Sequence, residues 1–332
     1  MPRLPRSVRR SGFTLIELLV IIAIIAALLA LSAAAVIRYM GTQQNNNTQT
    51  ELDKVQGQTS RLWSSVKDSA LKASMREIVP LKTPSGFPAN PPGYPPPSAG
   101  MTVEQYIQAN FAGSDANAQT RVRVMYVKLR LRQAFPMNFN EALNPFPLPP
   151  LPAYFTYLNS LGIIINPQKP PPVAPYESSA CLLMALQRAQ SGAGVDLADI
   201  GGGAVVRDFA VGSGTIPALV DAWRMPLFFT RAPAGSYKLN PAGAQVGAND
   251  PVDPNGLLNS GAWQPPPMRS AFLNLILQQT APPNPPPMAG SKSFKLAPMI
   301  ASAGPDKTLQ VNPITFGQLQ PGNFGDDLFS TP

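Results

Sequence analysis

The stretch that decides the fold lies at the N-terminus, where residues 11–38 read SGFTLIELLVIIAIIAALLALSAAAVIR. Between positions 13 and 37 the only polar side chains are Thr14, Glu17 and Ser32. A helix over these positions measures about 37 Å at about 1.5 Å per residue, which is enough to cross a hydrocarbon core of about 30 Å with some tilt. The segment therefore predicts a transmembrane helix.

The arginines that flank this segment predict its orientation. Four of them precede it, and the next cation along the chain follows it directly. They are Arg3, Arg6, Arg9 and Arg10 on the N-terminal side and Arg38 on the other. Because an excess of basic residues stays in the cytoplasm, the N-terminus is predicted to be cytoplasmic. The chain beyond position 38 is then expected on the opposite side of the membrane.

Glu17 is the residue that a simple membrane segment does not explain. A carboxylate in such a segment costs about 2.5–3.5 kcal/mol even on insertion scales, so its presence predicts a partner. One alternative is a secretory signal peptide that is cut near residues 33–35, where small side chains fit the cleavage pattern. Another is an uncleaved signal anchor. Neither alternative gives Glu17 a partner.

Residues 11–20, SGFTLIELLV, resemble the processing site of type IV prepilins and type II secretion pseudopilins. The resemblance implies that a membrane-embedded prepilin peptidase cuts after Gly12 and methylates the new terminal amine of Phe13. It also implies that Glu17 pairs with the terminal amine of a neighbouring subunit as a filament grows. This pairing would explain Glu17, because an ammonium and a carboxylate offset their desolvation in a low dielectric only when they meet.

The resemblance also divides the chain into regions. They are a basic leader peptide over residues 1–12, the transmembrane half of a long helix over 13–37, its amphipathic half over 38–79, and a globular head over 80–332. The amphipathic half contains no proline and repeats apolar residues at helical spacing, and Pro80 is predicted to end it. The head is about twice the usual pseudopilin size, so residues 85–220 are interpreted as an atypical insertion.

The predicted fold class is α+β, with the long helix packed against a head that contains a small antiparallel sheet and Pro-rich loops. Thr102 and Gln105 form a capping-box pattern that opens a helix to Phe111. Further helices are predicted over residues 116–135 and 178–189, and strands over 227–231 and 294–302. Proline clusters at 88–97, 145–152, 167–175, 265–267 and 282–287 are interpreted as irregular loops.

Composition excludes several function classes. The chain has no histidine, which removes His-dependent triads and His zinc sites, and its one cysteine, Cys181, cannot form an internal disulfide. Outside the leader the chain has 22 of its 26 basic side chains and all 18 acidic ones, so the charge there is close to balanced. No catalysis and no required cofactor are expected.

The basic run that contains Arg121, Lys128 and Arg132 is interpreted as a solvated helix face, and nucleic acid is not expected as a partner.

A second resemblance lies near the C-terminus. Residues 221–227, DAWRMPL, resemble the D-x-W-G-x-P-L turn of major pseudopilins. Asp221, Trp223 and Pro226 match this pattern, whereas Arg224 replaces the family glycine. Trp223 is expected to pack in the core and fix the turn. In the family, a closing strand and loop follow further along the chain.

That closing part matches residues 299–306, MIASAGPD, and 325–328, GDDL. The resemblance implies a calcium ion held by Asp306 with Asp326 or Asp327, because carboxylate and carbonyl oxygens suit a hard cation. The alternative is an ordinary Gly-Pro turn with solvated acids. Residues 250–256, DPVDPNG, place the wrong residues for an EF-hand and predict a turn.

Together these features predict a structural subunit of a type II secretion system that polymerises into a periplasmic pseudopilus. The implied location is the bacterial inner membrane, crossed once, with the head in the periplasm. The implied partners are the prepilin peptidase, further copies of the chain, other pseudopilins and the inner-membrane assembly platform. One alternative is a major or minor type IV pilus subunit with a surface or DNA-uptake role. Another is a membrane-tethered binding module that never assembles.

Overall fold

The computed structural model describes most of the chain between Leu15 and Ser330. The residues outside the description are 1–14, 85, 165, 167–172, 189–195, 201–204, 232–249, 259–271, 273–274, 277–295, 311–326 and 331–332. The proline clusters at 265–267 and 282–287, and most of the cluster at 167–175, therefore lie outside the described residues. The described chain is α+β, as predicted. It divides into two compact units, Met1–Asn46 and Asn47–Pro332.

The first unit contains the N-terminal part of α1, the helix Leu15–Lys72. Its described large apolar side chains are exposed, with values between 41 % at Ile21 and 82 % at Leu15. A soluble helix buries such side chains against a core. Among the described helices, α1 alone is long and apolar enough to cross a membrane by length and composition.

The second unit uses the remainder of α1 as one wall of its core. The apolar stripe predicted from helical spacing is confirmed, because Leu52, Val55 and Leu62 are buried. Trp63 extends this wall, and its ring lies 5.0 Å from that of Phe135. The stripe therefore buries one face of the helix and leaves its polar face exposed.

The end of α1 was predicted at Pro80, but the helix ends at Lys72. The segment that follows makes backbone hydrogen bonds to a distant part of the chain instead of continuing the helix. Val79 N–H donates to the Met101 carbonyl at 2.9 Å, and Val103 N–H donates to the Glu77 carbonyl at 2.8 Å. The helix prediction was wrong here because these bonds satisfy the backbone as well as helical bonds do.

In the described part of the second unit, five helices and a short 3-10 helix follow α1. They are α2 (Val103–Asn110), α3 (Ala118–Ala134), α4 (Phe139–Leu143), α5 (Pro152–Ser160), α6 (Glu177–Gln187) and the 3-10 helix Leu197–Ile200. The predicted capping box of α2 is confirmed, since Gln105 N–H donates to Thr102 Oγ1 at 3.2 Å and Thr102 N–H donates to Gln105 Oε1 at 2.9 Å. The predicted α3 and α6 are also confirmed.

The described strands form two antiparallel sheets. The strands are β1 (Val206–Val211), β2 (Gly214–Leu219), β3 (Phe228–Thr230), β4 (Met299–Ser302) and β5 (Leu328–Phe329). The first sheet is the hairpin β1-β2, and the second has the order β3-β4-β5. Strand β3 lies within the predicted 227–231. Within the strand predicted over 294–302, residues 299–302 form β4 and residues 296–298 are not strand, whereas 294–295 lie outside the described residues.

Helix α6 lies at the centre of the core, where it packs against β2 and β3. Its residues 180–186 are all buried, and Cys181 is completely inaccessible. Burial raises the pKa of the Cys181 thiol well above its usual value. Cys181 therefore packs in the core as a small, buried side chain.

Three cations of the basic run on α3 are buried, so its interpretation as a solvated helix face was wrong. Arg121, Lys128 and Arg132 are 1 %, 0 % and 5 % exposed. Each pairs with an acid from another segment. The pairs are Arg121 with Asp115 at 2.8 Å, Lys128 with Asp250 at 2.5 Å, and Arg132 with Glu141 at 2.7 Å. Asp115 and Glu141 lie just beyond the ends of α3, six and nine residues from their partners, whereas Asp250 lies 122 residues from Lys128, so only the Lys128 pair depends on a distant part of the chain.

The ion pair between Arg132 and Glu141 includes a third side chain, Arg231, so the three form a triad centred on Glu141. Its carboxylate accepts hydrogen bonds from Arg132 Nε, from the Arg231 guanidinium and from Met137 N–H. Burial by itself would raise the pKa of Glu141, but Arg231 and Arg132 outweigh it and hold the pKa below its usual value. The triad joins α3, α4 and the end of β3 in the interior.

The segment 250–256 forms the predicted turn. Asp253 N–H donates to the Asp250 carbonyl, and Gly256 N–H donates to the Asp253 carbonyl, both at 3.0 Å. The Asp253 carboxylate accepts hydrogen bonds from the backbone of Leu257 and Leu258 at 2.7 and 2.8 Å. These acids therefore order the turn, and Asp250 ties it to α3 through Lys128.

Candidate processing site and C-terminal turn

The N-terminal candidate site is described only from Leu15 onward. Gly12 and Phe13, the predicted processing residues, lie outside the described residues. Glu17 lies in the first turn of α1 and is exposed among apolar side chains. A carboxylate near a helix N-terminus interacts favourably with the helix dipole. The structure therefore presents Glu17 on the surface, where a second chain has access to it.

The C-terminal turn is built around the buried side chain of Asp221. Its Oδ1 accepts hydrogen bonds from Trp223 N–H at 3.0 Å and from Met225 N–H at 2.9 Å. The backbone closes the same loop, since Asp221 N–H donates to the Met225 carbonyl at 2.9 Å. A carboxylate that accepts local backbone donors in this way stabilises a tight turn. The turn role predicted for Asp221 therefore has a clear geometric basis.

The other predicted turn residues differ in their burial. Pro226 is buried, and a bridge between Val220 and Pro226 closes the base of the turn. Trp223 was expected in the core, but it is only partly buried and lies outside the core clusters. Trp223 takes part in the turn through its backbone N–H, which donates to Asp221 Oδ1 at 3.0 Å.

Arg224 adopts the left-handed backbone conformation, with φ of 65°. This is the position at which the pseudopilin pattern has glycine. Glycine adopts positive φ without steric cost, whereas a side chain makes this conformation less favourable by about 1–2 kcal/mol. The turn therefore keeps a glycine-like backbone although its residue is arginine.

We expect Arg224→Gly to stabilise the protein, because it relieves this strain. Glycine also gains flexibility in the unfolded chain, which offsets part of the gain, so the net effect is up to about 1 kcal/mol. Thermal unfolding of the detergent-solubilised protein should show a rise in Tm of about 2 °C. Arg224→Ala is the control, since it removes the side chain and keeps the strain. A lower Tm for Arg224→Gly than for Arg224→Ala would contradict the explanation.

The turn is joined to the closing strand of the sheet. Ser302 Oγ, at the end of β4, donates to Asp221 Oδ2 at 2.6 Å and accepts a hydrogen bond from Gly304 N–H at 3.1 Å. Burial raises the pKa of Asp221, and the hydrogen bonds from Ser302 and the turn amides oppose that rise. The two C-terminal segments that resemble pseudopilins thus form one structural unit.

Helix α1 contributes a contact that the sequence did not predict. Thr48 is completely buried, and its Oγ1 accepts a hydrogen bond from Ala222 N–H at 3.2 Å. Neither Thr48 nor Ser302 has a signal in the local sequence, because their partners in the turn lie 174 and 81 residues away. Only the fold brings these groups together.

The predicted calcium residues are described in part. Asp326 lies outside the described residues. Asp306 and Asp327 both contact Gln310, whose side-chain amide donates to Asp306 Oδ2 at 3.2 Å and whose backbone N–H donates to Asp327 Oδ2 at 2.8 Å. The described part of the chain contains no group of three acidic, His or Cys side chains that could hold a metal ion.

The calcium site therefore stays a prediction, and the described residues supply only two carboxylates toward it. If Asp326 completes the site, calcium at a hundredfold excess over its Kd should stabilise the folded protein by about 2.7 kcal/mol. Thermal unfolding with calcium and then with a chelator measures this difference. An equal Tm in both conditions would show that this loop does not bind calcium.

Comparison with known proteins identifies the N-terminal segment. The fold and the exposed apolar helix together indicate a membrane-anchored protein with an α+β head. Residues 8–33 match the family described as the prokaryotic N-terminal methylation motif. This motif is the hallmark of type IV prepilin and pseudopilin family proteins, so the resemblance predicted from residues 11–20 is confirmed. The searches of curated proteins and of solved structures gave no match.

Proposed function

We propose that this chain is a structural, non-catalytic pseudopilin-like subunit of a type II secretion system. In this proposal the prepilin peptidase removes residues 1–12 at the inner membrane. The mature subunit is then extracted into a periplasmic pseudopilus with further copies of itself and with other pseudopilins, on the inner-membrane assembly platform. The N-terminus faces the cytoplasm and the head lies in the periplasm.

The observation that carries the proposal is the methylation motif, because it spans Gly12, Phe13 and Glu17 within residues 8–33. The motif implies processing by prepilin peptidase and assembly into pilin-like polymers. The exposed apolar surface of α1 supports storage in the membrane before assembly. The single unit formed by the Asp221 turn and β4 supports the secretion branch, since both of its segments resemble major pseudopilins.

Processing between Gly12 and Phe13 is the first test. We expect the mature protein to start at Phe13 and to carry one additional methyl group. Intact-mass measurement of the protein extracted from its native membrane would detect both changes. A mature chain that starts at or after Ala34 would instead restore the signal-peptide interpretation and remove the basis for assembly.

The small side chain at Gly12 offers a matched pair of variants for this test. Gly12→Ala should be processed better than Gly12→Leu, because a narrow peptidase groove accepts small side chains. Equal processing of the two variants would show that the peptidase does not read this position. Both variants leave the head unchanged, so its Tm serves as an internal control for folding.

A further inference from the structure

A buried lysine and a buried aspartate lie in contact between α3 and the turn 250–256. Lys128 on α3 is completely inaccessible, and Asp250 is 6 % exposed. Lys128 Nζ lies 2.5 Å from Asp250 Oδ2. The two residues are 122 positions apart in the chain, so only the fold brings them together. The proposed assembly does not involve this pair.

This pair differs chemically from the other ion pairs of the described residues. In four of those the cation is an arginine, whose guanidinium does not lose its proton in proteins. In another, Lys67 pairs with Asp68 at the surface, where water stabilises the charged ammonium. Within the described chain, Lys128 is therefore the ion-paired cation that is both an amine and excluded from water. An amine becomes a nucleophile when it loses its proton.

Burial favours the uncharged amine of Lys128. Removal from water lowers the pKa of Lys128, although the carboxylates of Asp250 and Asp253 raise it. Transfer of a proton from Nζ to Oδ2 converts two buried charges into an amine and a carboxylic acid, which avoids the cost of burying ions. These two groups are the reactants of amide formation.

Both oxygens of the Asp250 carboxyl group are held in place. Oδ1 accepts a hydrogen bond from Val252 N–H at 2.9 Å, and Oδ2 faces Lys128 Nζ. Because Cγ is bonded to Oδ2, Nζ lies close to the carbon that it would attack, and such proximity accelerates intramolecular reactions. A backbone N–H at this distance from Oδ1 stabilises the negative charge that develops there during attack.

We propose that Lys128 and Asp250 condense to a side-chain amide that joins α3 covalently to the turn 250–256. In this step the uncharged Nζ attacks Cγ of the carboxylic acid and forms the C–N bond. The bond between Cγ and Oδ2 breaks, and the hydroxyl group leaves with one proton from Nζ as water. The reaction needs no oxidant, cofactor or second protein, and the exclusion of water protects the product from hydrolysis.

The amide supplies an internal covalent link that the cysteine content excludes. The chain has one cysteine and can form no internal disulfide. The link closes a loop that spans 122 positions, which restricts the unfolded chain as a disulfide does. The amide does not depend on assembly, so its absence would leave the proposed function intact.

Mass spectrometry of the full chain tests the amide. Under denaturing conditions the intact wild-type protein should be lighter by one water molecule than its processed sequence. Trypsin should not cleave after Lys128, and it should release a branched peptide in which residues 124–130 are joined to residues 239–269. Complete recovery of these segments as separate linear peptides would overturn the proposal. Loss of water without the branched peptide would also overturn it, since a cyclic imide at an aspartate has the same mass.

Lys128→Arg is the matched control, because it keeps the positive charge and cannot condense. Its mass, and that of Asp250→Ala, should equal the mass of the processed sequence. Loss of one water molecule in either variant would show that the modification lies elsewhere and would overturn the assignment. The wild-type peptides decide the question by themselves, so the test holds even where a variant fails to accumulate.

Discussion

Glu17→Leu is expected to insert into the membrane and lose its leader normally, and yet to form no polymers. In the proposed assembly the Glu17 carboxylate meets the Phe13 amine of the neighbouring subunit. Removing one partner of a buried ion pair costs about 3–5 kcal/mol, because the other charge stays buried without compensation. At about 1.4 kcal/mol per factor of ten, each addition weakens about a hundredfold or more.

The experiment compares sheared or cross-linked polymers from wild-type and variant cells at equal expression. Glu17→Asp is the conservative control and should be partly defective, since its shorter side chain reaches less far. Intact mass confirms that each variant is processed. If Glu17→Leu polymerises like the wild type, the pairing mechanism is wrong. If neither the wild type nor the variant forms polymers, the membrane-tethered binding module becomes the better explanation.

Glu141→Ala is expected to produce the largest loss of stability in the head. The substitution leaves the buried Arg132 and Arg231 without their shared carboxylate. Loss of one partner from a buried pair costs about 3–5 kcal/mol. Since domains have a total stability of about 5–15 kcal/mol, the variant should unfold at a much lower Tm or fail to accumulate.

The Lys67–Asp68 ion pair provides the matched control. It spans 3.7 Å on the surface, with side chains that are 26 % and 62 % exposed. Asp68→Asn should therefore change stability by less than about 1 kcal/mol. Thermal unfolding of both variants in the same detergent measures the contrast. A similar Tm for Glu141→Ala and Asp68→Asn would show that the buried triad does not hold the head together.

A fall in pH should also reduce the contribution of the triad to the stability of the folded protein. The pKa of Glu141 is lowered in the folded protein, so its ionised form favours folding at a pH above its unfolded pKa. This contribution is lost as the pH falls through the lowered folded pKa. The loss of Tm between neutral and acidic pH should therefore be smaller in a triple variant with apolar residues at positions 132, 141 and 231.

Several parts of this protein were predictable because their signals are local. The apolar run, the motif around Gly12 and Glu17, and the capping box of α2 each depend on residues within a few positions of one another. The hairpin β1-β2 also had a local signal that was missed, since Gly212 and Ser213 form a two-residue connection between its strands. Gly212 has φ of 52°, and a side chain there would clash with the Leu161 carbonyl.

The amino-acid sequence by itself determined that a long apolar helix lies near the N-terminus, that a methylation motif spans its first part, and that an α+β head follows. Only the tertiary structure decided that α1 ends at Lys72, that three cations of α3 are buried, and that Asp221 meets Ser302. The physical reason is that the partners are distant in the chain: Lys128 and Asp250 lie 122 residues apart, and Glu141 and Arg231 lie 90 apart. The sign of each charge can be read from the residue type, but its burial depends on where the fold places the opposite charge.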